Sequence, residues 1–346
     1  MAQPGATSRN VLAVLWLLLG AAMVGVPLWL GWTRWSVLLN GHPAMLFAGI
    51  LCALGGVVAL AWSVATLLLG ARFDEGARPG EPGHRTPRQV RRRSRWRIVL
   101  AVPALLLSCL VTGLLVYARP YPASAVAVAA MSTSASVRVS DRLTWFELQS
   151  TRRSAAGREV RPTTGLVFSP GARVDPRAYA QLLKPLATAG YLVVVLKEPF
   201  GLAVLQGNQS GAPIKVHPEI TRWAVGGHSL GGVTAAAYAD AHPGLVRGLV
   251  LYGSYPAQQL DRTDLAVLSV SGSNDGLATP ADIAEAKPRL PAKTTYVVLA
   301  GGIHSYFGDY GDQSGDGQPQ VDRKTAQAQI VKSTQALLAS LTPQRK

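Results

Sequence analysis

Three long runs without charged side chains lie in the first third of the chain. They cover about residues 11–30, 44–70 and 98–118, and they consist almost wholly of apolar side chains. Because each helical residue advances about 1.5 Å, roughly 20 residues cross a hydrocarbon core of ~30 Å. A backbone segment in lipid must also satisfy its own hydrogen bonds, which a helix does. The pattern therefore predicts three membrane-spanning helices.

Two other interpretations of these runs are less consistent with the sequence. The first run has the short basic lead of a secretory signal peptide, but its apolar part is too long and lacks a small-x-small cleavage site. Buried helices of a soluble protein are the second alternative, and three such runs in series are difficult to enclose. Tryptophans at the ends of the runs suit the headgroup level of a bilayer. These are Trp29, Trp32, Trp35 and Trp96.

Arginine is concentrated between the second and third runs. Residues 71–97 contain nine arginines and three acidic residues, whereas residues 31–43 contain only Arg34. Short loops rich in Lys and Arg stay in the cytoplasm, so we expect a multi-pass protein of the cell membrane with its amino terminus inside and everything after Arg119 outside. The same arginines are expected to contact anionic lipid headgroups. Nucleic-acid binding is the alternative, and no aromatic platform or recognition motif surrounds the arginines to support it.

From residue 137 onward, short apolar runs alternate with helical patterns. The runs are rich in β-branched residues, as in parallel strands that are buried on both faces. Their alternation with helices predicts a mostly parallel, doubly wound α/β sheet over 137–346. The Ala/Ser-rich segment 119–136 is expected to be a loosely packed linker. The predicted strands are 137–139, 143–148, 165–168, 191–196, 223–226, 248–252, 266–270 and 295–299.

Composition supports a chain with a membrane part and a globular part. Of the 346 residues, 48% are hydrophobic and only 15% are charged, against about 25% charged in an ordinary soluble domain. The net charge is +15. Its two cysteines, Cys52 and Cys109, are too few for a disulfide framework and lack the paired spacing of a zinc site. We therefore expect neither a metal nor a cofactor.

The candidate nucleophile is Ser229, in the run Gly227-His228-Ser229-Leu230-Gly231. This run follows a predicted strand and opens an alanine-rich helix, the context in which G-x-S-x-G forms a nucleophile elbow. The glycines remove side chains that would collide with the neighbouring strand and helix. The helix N-terminus favours developing negative charge. His228 is expected to pack or hydrogen-bond locally.

A serine nucleophile needs a general base, and the base needs an orienting carboxylate. On this type of sheet the chain order is Ser, then Asp or Glu, then His. His304 is the candidate base because it is the histidine that follows the last strong strand. Asp275 is the candidate acid because it follows a strand directly, where ligands meet open parallel sheets. The competing acids are Asp261 and Asp264, before that strand, and Asp282, which is expected at a helix N-terminus.

Two backbone N–H groups are required to bind the oxyanion of an acyl-transfer intermediate. Leu230, the residue after the nucleophile, is the predicted first donor, and the second is expected in the loop after the strand 165–168. Pro170 in that loop has no N–H. Ala172 is the predicted second donor, and Gly171 is the alternative.

Taken together, these motifs resemble the α/β-hydrolase superfamily, and in particular its "fold-5" group of small hydrolases. The likeness covers about residues 137–340 and excludes the membrane helices. It implies the doubly wound sheet and a triad of Ser229, Asp275 and His304. One departure is the polar, glycine-rich segment 207–216, where a helix is expected before the elbow. The runs that carry the resemblance are Gly226–Gly232, Val270–Gly276, Gly302–His304, Ser169–Pro176, His217–Ile220 and Phe307–Gly311.

The sequence therefore predicts a membrane-anchored serine hydrolase that cleaves a carboxylic ester of a small acyl substrate. A thioester, amide or peptide hydrolase on the same triad is one alternative, and a non-catalytic membrane protein that uses the domain for binding is another. The segment 253–265 is too short for a lid domain, so the site is expected to be open or covered by the loop 305–323. That loop has half of a calcium-binding pattern at 312–317, but Arg323 stands where the bidentate Glu belongs. Its aspartates are interpreted as turn residues.

Overall fold

The chain forms two compact units. The computed structural model describes residues 4–74 and 87–342, with side chains over 9–69 and 99–342. One unit comprises Met1–Leu38 and Ala44–Arg119, and the other comprises Leu39–Pro43 and Pro120–Lys346.

Three long helices supply most of the first unit: α1 (Pro4–Asn40), α2 (Pro43–Asp74) and α3 (Pro87–Tyr117). The stretches Arg9–Asn40, Pro43–Leu69 and Val99–Tyr117 are long and apolar enough to cross a membrane. The helices extend beyond the apolar runs because hydropathy marks only the apolar part of each helix, whereas helical hydrogen bonding continues into polar flanks. In α1 the helical dihedral angles break at Arg34, with φ −138° and ψ 21°. The arginines of 71–97 lie outside the described side chains.

The apolar side chains of these helices are largely uncovered by protein. Leu18, Leu51 and Leu110, one on each helix, are 65%, 69% and 69% exposed. A soluble protein rarely exposes contiguous apolar surface of this extent. Helices α1 and α2 approach each other at Gly20 and Gly56, where a Cβ on either glycine would meet the facing helix. Small residues permit such close approach between membrane helices.

The second unit contains one sheet of eight strands in the order β1-β2-β4-β3-β5-β6-β7-β8. The pairs β1–β2 and β2–β4 are antiparallel, and all other neighbours are parallel. The predicted mostly parallel α/β sheet is therefore confirmed. The strands are β1 (Val137–Asp141), β2 (Trp145–Ser150), β3 (Thr164–Ser169), β4 (Leu192–Leu196), β5 (Arg222–His228), β6 (Val246–Tyr252), β7 (Ala266–Gly272) and β8 (Thr295–Leu299).

Helices cover both faces of the sheet, which explains why β4 is apolar at every position. On β4, Val193 and Val195 pack in the cluster with α5 and α9, while Val194 packs in the cluster with α6 and α7. Burial of each such side chain contributes about 1.5–3 kcal/mol. The polar segment 207–216 contributes only the short α6. The remaining helices are α4 (Ala125–Ala130), α5 (Ala180–Thr188), α6 (Gly211–Val216), α7 (Leu230–Ala241), α8 (Pro280–Ala286) and α9 (Arg323–Leu341).

The segment 119–136 is packed at α4, whereas residues 132–136 are exposed. Ser124 caps α4 by accepting a hydrogen bond from Ala127 N (3.3 Å), and Ala127 is fully buried. Lys184 of α5 donates to Ala130 O at 3.0 Å. Small alanine side chains bury little area singly, but they allow α4 to lie close to α5.

The direction in which the chain winds changes between β3 and β5. These strands are neighbours, yet the strand that follows β3 in sequence, β4, lies on one side and the strand that follows β5, β6, lies on the other. The loops after β3 and β5 therefore lie on either side of this reversal, at the carboxyl edge of the sheet. Ligands of open α/β sheets bind at such a reversal.

Candidate active site

Ser229 occupies a strained turn between β5 and α7. Its dihedral angles are φ 52° and ψ −123°, a region that costs a non-glycine residue on the order of 1–3 kcal/mol. Neighbouring backbone holds this conformation: Ser229 N donates to Tyr252 O at 3.0 Å, and Ser229 O accepts from Ser254 Oγ at 2.7 Å. The side chain of Ser229 is half-buried. The turn therefore presents the hydroxyl at the carboxyl edge of the sheet.

The surroundings of Gly231 explain why the elbow requires a glycine two residues after the nucleophile. A Cβ at this position would collide with the carbonyl oxygens of Ser169 and Pro170. The first turn of α7 thus lies backbone against backbone on the loop that follows β3. This contact places the elbow beside the loop that is predicted to supply an oxyanion donor.

Asp275 and His304 form a buried hydrogen-bonded pair at the same edge. His304 Nδ1 donates to Asp275 Oδ2 at 2.9 Å and lies 3.1 Å from Oδ1. Oδ1 also accepts from the backbone N–H groups of Leu277 (2.9 Å) and Ala278 (2.8 Å). Asp275 is 3% exposed and His304 is 1% exposed. The carboxylate fixes the imidazole ring and its tautomer, with the proton on Nδ1.

The pair lies next to the strand that anchors the elbow. A Cβ on Gly253 would be 3.0 Å from Asp275 Oδ2 and 3.1 Å from His304 Nδ1. Gly253 directly follows Tyr252, whose carbonyl binds Ser229 N. His304 Nε2 is buried and has no hydrogen-bond partner within residues 99–342, so the Ser229 hydroxyl is not bonded to it. Such bonds are commonly long without substrate and tighten when it binds.

The predicted oxyanion donors lie on the loop after β3 and at the elbow after β5. The N–H groups of Ala172 and Leu230 make no hydrogen bond to the described part of the chain. The N–H of Gly171, the alternative donor, is engaged by the hydroxyl of Tyr179 at 2.8 Å. Ala172 is therefore the better placed of the two donors on this loop.

Comparison with known proteins finds a family match within the globular unit. Residues 165–328, just under half of the chain, match the model of an alpha/beta hydrolase family. The α/β-hydrolase fold expected from the sequence motifs is thereby confirmed, while the catalytic roles of Ser229, Asp275 and His304 stay predictions.

Two solved structures are similar to this chain at low sequence identity. TT1662 from Thermus thermophilus is 12% identical, with 60% of this chain and 99% of that chain covered and a TM-score of 0.43. Alpha/beta hydrolase domain-containing protein 10 from mouse is 13% identical, with 60% and 100% covered and a TM-score of 0.37. No curated protein matches the chain.

His228 links the elbow of the α/β-hydrolase domain to the loop after β3. The hydroxyl of Tyr179 accepts from Gly171 N and is hydrogen-bonded to His228 Nδ1 at 2.9 Å. Burial, and secondarily the proximity of His304, lowers the pKa of His228 well below its usual value. His228 is therefore neutral and serves the packing and local hydrogen bonding expected from the sequence.

The competing histidines and acids of the domain have other partners. His217 bonds Glu147 and Glu219, and His242 Nδ1 lies 2.8 Å from Tyr238 O. Asp264 pairs with arginines, and Asp282 forms the capping box of α8, as its place after Pro280 predicts. Within the described residues, no group of three or more His, Cys, Asp and Glu side chains is placed to hold a metal ion.

Glu198 is a buried acid near the candidate site, and the sequence motifs do not point to it. It follows the end of β4 by two residues and is only 4% exposed. Burial raises its pKa to about 7, and a hydrogen bond from Ser169 partly offsets that rise. Its Oε2 has no partner within the described residues. The sequence does carry a signal for Glu198, because it is an acid just beyond a buried strand, the same pattern by which Asp275 is predicted.

Replacement of Glu198 by glutamine is expected to stabilise the domain at pH 8 but not at pH 4.5. The folded-state pKa of about 7 exceeds the unfolded value of about 4.5, so folded chains bind more protons between these values and stability falls as pH rises through that window. The free energy of unfolding falls by about 3 kcal/mol across this pH window. Thermal unfolding of the wild type, Glu198→Gln and the exposed control Glu285→Gln at both pH values checks this. A Glu198→Gln effect of equal size at both would contradict it.

Proposed function

We propose that the chain is a membrane-anchored serine hydrolase that cleaves carboxylic esters through an acyl-enzyme on Ser229. The buried Asp275–His304 pair, adjacent to the strained elbow, is the observation that carries the proposal. A histidine with Nδ1 held by a carboxylate and Nε2 unpartnered is prepared to accept a proton. The family of residues 165–328 supports hydrolysis as the class of reaction.

In the proposed acylation step, Ser229 Oγ attacks the ester carbonyl carbon. His304 Nε2 takes the hydroxyl proton, and Asp275 stabilises the imidazolium that forms. The carbonyl oxygen becomes an oxyanion, which the N–H groups of Ala172 and Leu230 bind. His304 then returns the proton to the leaving alkoxide as the C–O bond breaks. Alcohol departs and the acyl group remains on Ser229.

Deacylation repeats the same chemistry with water in place of serine. Water attacks the acyl carbonyl while His304 Nε2 removes its proton, and the same two N–H groups bind the second oxyanion. Collapse of this intermediate transfers the proton back to Ser229 Oγ and releases the carboxylic acid. Each proton that leaves an oxygen is carried by His304, so no metal or cofactor enters the scheme.

Hydrolysis of p-nitrophenyl butyrate by the detergent-purified full chain tests the proposal. The wild type and Ser154→Ala, a matched serine replacement on an exposed turn, are expected to release nitrophenolate at equal rates. Ser229→Ala is expected to be inactive at equal folded concentration. A p-nitroanilide of the same acid separates esterase from amidase, since an amide turned over faster than the ester would contradict the ester assignment. Turnover that survives in Ser229→Ala would contradict the serine mechanism.

We also propose that the hydrolase domain lies outside the cytoplasm, with the lipid bilayer as its anchor. Three helices capable of spanning and nine arginines in residues 71–97 support this sidedness. Alkaline phosphatase, which needs disulfides formed outside the cytoplasm, is expected to be active when fused after Lys346 and inactive when fused at Arg88. A fluorescent protein that folds only inside should give the reverse at both points. Active phosphatase at Arg88 alone would overturn the topology.

A further inference from the structure

The carboxylate of Asp316 binds four backbone N–H groups. Its Oδ1 accepts from His304 N at 2.9 Å, Gly317 N at 2.8 Å and Gly276 N at 3.4 Å. Its Oδ2 accepts from Ser305 N at 2.8 Å. One side chain thus binds the backbone of the candidate base and the residue that directly follows the candidate acid.

These bonds differ from those of an ordinary turn aspartate, which was the interpretation from the sequence. A turn residue bonds within its own turn, and only the bond to Gly317 is of that kind. The partners Ser305, His304 and Gly276 lie 11, 12 and 40 residues away in sequence. Asp316 therefore joins three separate segments.

The segment 312–320 is packed tightly on the loop that carries Asp275. A Cβ on Gly317 would collide with Asn274 O, and a Cβ on Gly276 would lie 2.5 Å from Gly315 O. Asn274 Nδ2 donates to Gln318 O at 2.9 Å. There is no room for the segment to shift relative to the acid loop without breaking these contacts.

The same part of the chain also holds the loop that carries His304. Gln320 N donates to Gly301 O at 2.9 Å. Arg323 Nη1 donates to Ser305 O at 2.6 Å and to Gly308 O. Because the segment contacts both loops, the position of Asp316 sets the position of the base relative to the acid.

We infer that Asp316 is a positioning residue for the proposed serine hydrolysis, an inference that rests on that function. Its carboxylate fixes the backbone of His304 against the loop of Asp275 through charge-assisted hydrogen bonds. Its negative charge is held at the backbone N–H of His304, the residue whose imidazole becomes positive when Ser229 is deprotonated. Geometry and charge then act in the same direction, toward proton transfer to His304.

Asp316→Asn in the detergent-purified full chain tests this inference. Asparagine lacks the charge and one acceptor oxygen, so kcat for p-nitrophenyl butyrate is expected to fall about 10–100-fold with KM little changed. The acid limb of the kcat profile is expected to move to lower pH, because removing negative charge disfavours the protonated, positively charged imidazole. The other groups that face His304 are unchanged by the substitution: Asp275, Arg323 and the neutral His228. Rates are normalised to the sites labelled by a fluorophosphonate probe.

Asp312→Asn is the matched control, since it removes the same charge from an exposed position in the same segment. Its kcat and pH profile are expected to equal those of the wild type. Asp316→Glu keeps the charge and displaces the oxygens, so it should lower kcat while leaving the acid limb in place. If Asp316→Asn does not fold, an Asp316→Glu enzyme with wild-type kcat would overturn the inference.

The outcomes separate this inference from the proposed function. Amide hydrogen exchange at His304 and Ser305 is expected to accelerate in Asp316→Asn, a readout that does not require turnover. A lower melting temperature with unchanged kcat per labelled site and an unchanged acid limb would reduce Asp316 to a structural role and overturn the inference. An equal effect in Asp312→Asn would also overturn it. A wild-type chain without Ser229-dependent turnover would instead contradict the proposed function.

Discussion

Ser229→Ala is expected to lower kcat for an activated ester by four to six orders of magnitude, and His304→Ala is expected to do nearly the same. The estimate of about 10⁴–10⁶ follows from triads in which nucleophile and base act as one unit. Without His304 Nε2, no group takes the proton from Ser229. Without the Ser229 hydroxyl, a correctly placed His304 has no nucleophile to activate.

The double variant, Ser229→Ala with His304→Ala, is therefore expected to be hardly slower than either single variant. The measurement is kcat for both singles and the double on p-nitrophenyl butyrate, after circular dichroism has shown that each folds. The Ser154→Ala chain is the control, since it shows the effect on kcat of replacing a serine outside the proposed site. Losses that multiply in the double variant would mean that the two residues act independently, and the triad assignment would be abandoned.

Asp275→Asn is expected to lower kcat by about 10⁴, the effect of an orienting acid that is replaced by its amide. The structure supplies a specific cause. Asp275 Oδ1 accepts from Leu277 N and Ala278 N, so the amide oxygen of asparagine takes that position. Its NH₂ group then faces His304 Nδ1, which must accept rather than donate. The proton moves to Nε2, and the tautomer that can deprotonate Ser229 is lost.

Asp261→Asn is the control for this prediction, because Asp261 is an exposed acid from the same part of the chain. Its kcat is expected to equal that of the wild type. Nitrogen NMR of a labelled histidine side chain reports the tautomer directly and is expected to show the proton of His304 on Nε2 in Asp275→Asn. A kcat within tenfold of the wild type, with the proton still on Nδ1, would remove Asp275 from the proposed mechanism.

The fold was predictable because its signals are local. The strands β4 and β6 are apolar at successive positions since both faces of the sheet are covered, and this shows directly in the sequence. A five-residue motif predicts Ser229 as the nucleophile. Its glycines are required where backbone segments lie too close for a Cβ, as at Gly231. Asp275 and His304 were selected by their place after strands, and the structure brings these two side chains together.

Features that depend on contacts between distant segments were missed. Asp316 was interpreted as a turn residue because its partners lie up to 40 residues away, and no local pattern encodes that packing. The helix α4 was overlooked because alanines give little hydrophobic signal by themselves, although they pack well against α5. Hydropathy predicts the three long apolar helices but not their ends, since helical hydrogen bonding continues beyond the apolar residues.

Covalent labelling tests the central claim most directly. The full chain in detergent is treated with a fluorophosphonate, digested, and the adduct is located by tandem mass spectrometry. The proposal predicts one adduct per chain, on Ser229, which p-nitrophenyl butyrate delays by competition and which is strongly slowed in His304→Ala. Absence of an adduct on Ser229, in a chain that folds and still hydrolyses the ester, would contradict the assignment of Ser229 as nucleophile.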